Sequence, residues 1–300
     1  MAATISRGTL FTPQQTNEMF SKVRGKSSLA RLSNSEPIPF NGKDVFVFDL
    51  DKEAMLVGEN VAKANGGGTV TAVSMTPVKV EYGVGISDEF KYGAEELQLQ
   101  YLTVFADGFA KKVARALDIM AFHGVDPRSK NSADVLTNKN FDDLVTQAVL
   151  YNQSTPDANV ATAIGLVEAN EHEVTGMAMS PIFKSALANL KKGSTSNEPM
   201  FPELGWGAAA ETINGLPFDS NSTVSFNSGD DRAIVGNFAD YFKWGFAKDV
   251  AIEVIEYGDP DNSGYDLKGQ NQVYLRGEAY IGWAILVPNA FARIAANVSA

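Results

Sequence analysis

The feature that most limits the fold of this 300-residue chain is a set of large apolar residues that recur every fourth position between residues 93 and 123. Such spacing places the side chains along one side of a helix and predicts a single helix of about 30 residues. Gly124 and the pair Asp126-Pro127 are typical of its end. The set comprises Leu97, Tyr101, Phe105, Phe109, Val113, Leu117 and Met120. At about 1.5 Å per residue the helix would be a rod of roughly 45 Å, which suits a structural beam.

A long two-stranded excursion precedes this helix. Residues 45–48 are β-branched or aromatic, and residues 78–86 alternate apolar residues with charged residues or glycine, which is the period of a strand. The segment between them, 49–77, contains few large apolar residues. Because an isolated hairpin is marginally stable in water, we expect this one to pack on another chain or to stay mobile.

The rest of the chain predicts an α/β subdomain, since a buried strand at 176–179 stands between helices. Ser180 is a predicted N-cap, and Pro181 fits the first helical turn. The predicted helices are 141–152, 158–170 and 182–191. The predicted strands are 233–246, 250–257 and 273–287, the last being either a strand pair or one long bent strand.

Charge is distributed unevenly. The net charge of −11 argues against a broadly basic nucleic-acid binder. Residues 1–35 hold five basic residues and one acidic residue, which leaves −15 for the remainder. This first stretch is polar and shows no sustained period. We interpret residues 1–36 as an extended arm that becomes ordered only against a partner surface.

Composition excludes several kinds of site. The chain has no Cys, and its two histidines, His123 at the predicted helix end and His172 among glutamates, are too few for a multi-histidine metal site. There is no phosphate-binding loop, zinc-protease motif or nucleophile elbow, and the glycines at 83 and 85 begin a dinucleotide motif that Asp88 breaks. The apolar run 279–292 is too short to cross a bilayer. We therefore expect no enzyme activity, no cofactor and no membrane partner.

One loop has the oxygen spacing of a calcium site. Asp259, Asp261 and Ser263 supply oxygens at the first, third and fifth positions, and Gly264 stands at the sixth. The twelfth position is Gln270 instead of the glutamate that binds calcium through both oxygens. A solvated turn is the alternative interpretation of the same residues.

The order of these parts resembles the major capsid protein family of tailed bacteriophages, which has the Hong-Kong-97-type fold. The matching segments are 56–63 for the extended-loop ascent, 78–86 for the return strand, 93–123 for the spine helix, 176–181 for the buried strand and helix start, and 273–288 for the closing strands. The resemblance covers about residues 37–294. It implies an α+β fold with an N-terminal arm, an extended β-hairpin loop, a long spine helix in a peripheral domain and an α/β axial domain.

The resemblance also implies boundaries and a function. The arm would be 1–36, the extended loop 49–77, the peripheral domain 37–48, 78–131 and 248–285, and the axial domain 132–247 and 286–300. Such proteins form pentamers and hexamers that close an icosahedral shell around double-stranded DNA. Assembly in the host cytoplasm would place the chain in the virion. Since only the arm precedes the fold and the sequence starts at Met1, a separate scaffolding protein is expected, with a portal and a decoration protein as further partners. The alternative is an encapsulin-like nanocompartment shell of the same fold, which holds an enzyme cargo.

Some members of that family join subunits by an isopeptide bond. Lys63, Asn271 and Glu278 fall at compatible positions. A neutral Lys63 amine would attack the Asn271 carboxamide while Glu278 carries protons. The alternative is that Lys63 is solvated near the hairpin tip and Asn271 belongs to a polar turn.

Overall fold

The computed structural model of the chain describes residues 26–50, 52–59, 61–62, 65–93, 95–193, 196–228, 230–247 and 251–297. Most of the predicted arm, 1–25, and the isopeptide candidate Lys63 lie outside these residues. The α-helices of the described part are α1 Ser28–Leu32, α2 Glu95–His123, α3 Phe141–Leu144, α4 Pro156–Glu168, α5 Pro181–Ala188 and α6 Phe238–Tyr241. None of these helices is both long enough and apolar enough to cross a membrane.

The strands form three sheets, and their bounds are β1 Lys43–Leu50, β2 Gly68–Met75, β3 Val78–Ser87, β4 Ala148–Leu150, β5 Gly176–Met179, β6 Thr212–Ile213, β7 Leu216–Ser220, β8 Asp231–Gly236, β9 Phe242–Phe246, β10 Ala251–Ile255, β11 Gln272–Ile285 and β12 Phe291–Ala295. Strands β1 and β2 make an antiparallel ribbon. In the second sheet, β11 pairs with β3, β10 and β9, all antiparallel. The third sheet is mixed and has the order β4-β12-β8-β5-β7-β6.

Helix α2 crosses the second sheet at a glycine. A Cβ atom at Gly277 of β11 would lie 2.9 Å from the ring of Phe109, so only glycine lets the helix approach this closely. From Phe109 onward the helix is deeply buried, and its side chains join one core with residues from both larger sheets, among them Phe141, Trp244 and Phe291. This shared core fixes the two sheets relative to each other.

The predicted apolar set on α2 is only partly buried. Phe109, Val113, Leu117 and Met120 lie in the core, whereas Leu97 remains 51% exposed. A step of four residues turns the helix by about 400°, so the set winds by about 40° at each step. Its two ends therefore face different directions, and the first two turns lie outside the core.

Two predicted elements are wrong. The helix predicted for 141–152 ends at Leu144, where extended Val145 leads into β4, because Ala148 and its neighbours pair with β12 and this pairing outweighs helix propensity. The strand predicted for 233–246 is interrupted by α6. Asn237 caps that helix by accepting the N–H of Asp240 at 3.0 Å, a sequence signal that the strand interpretation missed.

Other predictions are confirmed. Strand β5 is fully buried, and the Ser180 hydroxyl accepts the N–H of Phe183 at the start of α5. The closing segment is one continuous strand, β11, and His123 is the last residue of α2. His172, which stands among glutamates in the sequence, is half-buried, and its ring meets Tyr241 edge-on at 5.2 Å.

Candidate assembly surfaces

The β1–β2 ribbon exposes an apolar face. Phe46, Phe48 and Leu50 alternate along β1 and stand opposite Ala72, Val70 and Gly68 of β2, so all six share one side. Phe48 is 72% exposed, and Phe46 and Leu50 are similarly open. At the base of the ribbon, Met75 is fully buried against Ile38 and Ala284. The ribbon is thus anchored at one end and presents unpartnered apolar surface along its length.

The first half of α2 is a second exposed apolar surface. Leu97, Tyr101 and Val104 are each more than half exposed, and Tyr92 just ahead of the helix is more exposed still. The Tyr101 ring meets Phe90 edge-on at 5.8 Å, which fixes its orientation. Large contiguous apolar patches of this kind mark protein interaction sites.

The end of the predicted arm is held on the chain's own body by Asp118 of α2. Its carboxylate accepts the N–H of Ser28 at 2.9 Å and of Leu29 at 3.2 Å, both at the start of α1, together with the Ser27 hydroxyl. The Thr223 hydroxyl donates to it at 2.9 Å. A negative charge at a helix N-terminus is favourable, so Asp118 joins α1 to the spine helix.

Two further contacts continue this attachment. Arg31 pairs with Asp219 at 2.9 Å and with Glu211 at 3.1 Å. The backbone of Glu36 then donates to the carbonyl of Trp244 at 2.8 Å, which adds the chain to the edge of β9. The arm predicted over 1–36 is therefore shorter at its inner end, since residues 27–30 are buried in their own subunit.

A partly buried charge cluster joins the end of α2 to the third sheet. Arg293 of β12 lies 2.8 Å from Asp142 and 2.9 Å from Asp231, and His123 lies 2.9 Å from the other oxygen of Asp142. Burial raises the pKa of Asp231, while Arg293 acts in the opposite direction. His123 also contacts the carbonyl of Thr223 at 2.9 Å.

The same cluster has the ligand types of a metal site. His123, Asp142 and Asp231 offer three ligand atoms that all lie within 4.8 Å of one another. In the described part of the chain, this is the group of His, Asp or Glu residues close enough together to hold a metal ion. The guanidinium of Arg293 already binds both carboxylates and supplies the compensating positive charge. We therefore describe the cluster as an ion-pair network.

The isopeptide candidates are separated within one subunit. Asn271 has left-handed backbone angles just ahead of β11, and its carbonyl accepts the N–H of Asp88 at 2.9 Å. Glu278 lies seven residues further along, roughly 23 Å at 3.3 Å per residue. Its carboxylate pairs with Lys79 at 2.8 Å. A bond of this type would have to bring Asn271, Glu278 and Lys63 together from different subunits, and it stays a prediction.

The candidate calcium loop is closed by its own hydrogen bonds. One oxygen of Asp259 accepts the N–H of Ser263 at 2.8 Å, and the other accepts that of Gly264 at 2.7 Å. These N–H groups lower the pKa of Asp259. The carbonyl of Pro260 accepts Arg276 at 2.6 Å. The geometry suits a solvated turn, and calcium binding by Asp259, Asp261 and Ser263 stays a prediction that calorimetry with calcium tests.

Comparison with known proteins settles the family. The phage capsid family matches residues 8–295. The chain belongs to the phage capsid family. This capsid protein has 30% identity and a TM-score of 0.77 to a solved structure from Mycobacterium phage Ogopogo, over 90% of this chain and 92% of that one. For a structure from Gordonia phage Cozz the values are 23% and 0.71, over 90% and 86%.

The fold also matches the capsid of an empty GTA particle, with 14% identity and a TM-score of 0.63 over 90% of this chain and 89% of that one. No curated protein matches the capsid protein at a significant level. The family assignment makes the chain a major capsid protein, a structural component of the phage head shell, and it does not favour the alternative nanocompartment. The expected α+β fold of this family is confirmed.

Sequence reasoning missed the two buried carboxylate sites of the capsid protein. Asp118 directly follows Leu117, one of the regularly spaced apolar residues of α2, and Asp231 is the first residue of β8. For Asp118 the available signal was an isolated acid inside an apolar run, because charged residues are rarely buried without a partner; Asp231, between Asp230 and Arg232, gave no such signal. The partners of both carboxylates are distant in sequence, so they could not be named from it.

Proposed function

We propose that this capsid protein forms pentamers and hexamers, and that these close an icosahedral shell around double-stranded DNA. The observation that carries the proposal is the ribbon face of Phe46, Phe48 and Leu50. A two-stranded ribbon does not stabilise itself in water, and each phenylalanine that becomes covered contributes about 1.5–3 kcal/mol. The ribbon therefore lies over a neighbouring copy in the shell.

The sheets support a division into two domains. Every strand of the third sheet falls in the ranges proposed for the axial domain, 132–247 and 286–300. Helix α2 and strands β3, β10 and β11 fall in the proposed peripheral domain, 37–48, 78–131 and 248–285. Strand β9 is assigned to the axial range but pairs with β11, which favours a boundary ahead of residue 242. The extended loop 49–77 and the part of the arm ahead of residue 27 reach other subunits.

Charge supports DNA enclosure without tight binding. Residues 36–300 carry a net charge of −15, and phosphate affinity comes from Lys and Arg that release counterions. An acidic wall leaves packaged DNA free to move. We infer that the role is structural, without enzyme activity, cofactor or membrane partner. Assembly takes place in the host cytoplasm with a separate scaffolding protein, a portal and, in some heads, a decoration protein.

Imaging and sizing of the concentrated full chain test this proposal. We expect closed shells, tubes or capsomer rings. The variant F48S should fold with an unchanged melting temperature but assemble poorly, because it removes the ribbon's apolar contact. The matched control is Y265S, which removes a similarly exposed aromatic residue from the polar turn before β11. A wild-type protein that stays a compact, protease-resistant monomer at every concentration and salt would contradict the proposal.

A further inference from the structure

His123, the last residue of α2, has a hydrogen-bond acceptor at each of its two ring nitrogens. Its side chain is only 8% exposed. Nδ1 lies 2.9 Å from a carboxylate oxygen of Asp142, and Nε2 lies 2.9 Å from the backbone carbonyl of Thr223. Neither an ionised carboxylate nor a carbonyl can donate, and a neutral imidazole has only one N–H. Both contacts are therefore hydrogen bonds only when the ring is the doubly protonated imidazolium.

The charges around the ring favour the same protonation state. Asp231 of β8 accepts the Nε of Arg293 with both oxygens, at 3.0 and 3.1 Å, and Asp142 of α3 lies 2.8 Å from the same guanidinium. The exposed Asp230 also acts on Arg293. A neutral His123 would leave the two paired carboxylates with a single cation at a partly buried site. Burial lowers the pKa of His123, but the hydrogen bond and charge of Asp142 outweigh it and raise the pKa above its ordinary value of 6.5.

Loss of the ring proton removes one of the two hydrogen bonds. Nδ1 keeps its N–H, because a hydrogen bond to a carboxylate is stronger than one to a carbonyl. The carbonyl of Thr223, a fully buried residue, then loses the imidazole as its donor, which is unfavourable. The Thr223 hydroxyl also donates to Asp118 of α2 at 2.9 Å. The loop that contains Thr223 is thus held on α2 by two hydrogen bonds, of which only the one to Asp118 remains.

We propose that His123 is a pH-sensitive contact between the spine helix and the third sheet with its loops, which a proton on the ring stabilises and loss of that proton weakens. His123 ends the helix of the proposed peripheral domain, and its partners fall in the proposed axial domain. The contact goes beyond the proposed function, since a single subunit contains all of it. Because the folded pKa is raised, the stabilisation is complete below about pH 6.5 and is lost as the pH rises through the folded pKa.

Nitrogen-15 NMR of the histidine rings in the full-length, dissociated chain tests the protonation state. The chain has two histidines, so the variant H172Q assigns both sets of signals. We expect both ring nitrogens of His123 to show the chemical shifts of an imidazolium at pH 6.5 and to lose the proton only at higher pH. A His123 ring that is already mostly neutral at pH 6.5 would overturn the inference. Because the measurement needs no assembly, a chain that forms no particles would overturn the proposed function and not this inference.

Hydrogen exchange at the Thr223 amide, which donates to the side chain of Asn221 at 3.3 Å, measures the weakening. Over the pH range in which NMR shows His123 losing its proton, its protection factor should fall by about fivefold or more in wild type. The matched control H172Q should show the same fall. H123Q keeps a donor but does not titrate, so its protection should stay constant. An equal fall in H123Q, or a constant protection factor in wild type, would overturn the inference.

Discussion

Replacing Asp118 with asparagine should loosen α1 from the spine helix, by an amount that follows from the donors around the carboxylate. The two oxygens accept the N–H groups of Leu29 and Ser28 separately, and each also accepts one hydroxyl, from Ser27 or Thr223. The oxygen that accepts Ser28 also accepts the side-chain amide of Asn221 at 3.3 Å. A hydroxyl can reorient to accept from the new amide, but a backbone N–H cannot. Whichever way the amide points, one buried N–H loses its acceptor, at a cost of about 1–3 kcal/mol.

The same carboxyl gives this variant a pH dependence. Burial raises the pKa of Asp118 from 3.8 to about 6, against the lowering effect of its hydrogen bonds. Between about pH 4 and 6 the folded chain therefore keeps a proton that the unfolded chain releases. The stability that this provides is complete below pH 4 and is lost as the pH rises through 6, in total roughly 3 kcal/mol at 1.36 kcal/mol per pH unit. Because D118N lacks this titration, its cost should be larger at pH 4 than at pH 7.

Hydrogen exchange at the amides of Ser28 and Leu29 in the full chain measures both effects. We expect exchange in D118N to be at least about tenfold faster than in wild type near pH 4.5, with a smaller gap at pH 7. The control is D126N, which alters an exposed carboxylate that accepts the N–H of Arg128 in the loop after α2. Equal protection of wild type and D118N at both pH values would refute the role given to Asp118. A gap that widens toward pH 7 would refute the sign of its titration.

Three other changes test the ion-pair cluster, the contact between α2 and β11, and the isopeptide bond between subunits. R293M leaves the buried Asp231 and the partly exposed Asp142 without their cation, and it should lower the free energy of unfolding by about 3–5 kcal/mol in denaturant melts. A loss under about 1 kcal/mol would contradict the ion-pair network. G277A places a methyl group against Phe109 and should cost about 1–3 kcal/mol, whereas the same change at open Gly269 should cost little. If Lys63 and Asn271 form isopeptide bonds, boiled particles will show bands above the 32.2 kDa monomer on a denaturing gel, and K63A will abolish them. Monomer bands alone would end that hypothesis.

Local sequence patterns that persist over many residues made much of this fold predictable from sequence. The spine helix was correct to within two residues at its start and exact at His123, because its apolar spacing persisted for many turns. The start of α5 was predicted from one capping serine and one proline. Strand β4 was not predictable, because three residues acquire their strand conformation only from pairing with β12, far away in the sequence.

The contacts that distinguish this subunit were harder to predict than its elements. Sequence identified the hairpin as a segment that needs a partner, but which apolar residues face outward depends on the register between β1 and β2. Predicting that Leu97 is exposed requires knowing where the second sheet ends beneath α2. Both are consequences of tertiary packing, to which a single sequence without structure gives no access.

The buried carboxylates have a physical rationale in a subunit with this much exposed apolar surface. Apolar side chains at Asp118 and Asp231 would often stabilise a fold as much as buried charges do. If α1 were held by apolar contacts alone, however, it could also bind to the ribbon face or to the exposed part of α2, because those surfaces are apolar too. A carboxylate that accepts particular N–H groups fits one partner in one orientation. We infer that directional polar contacts fix the inner arm and β12 on their own subunit, and so keep the apolar faces available to neighbouring copies.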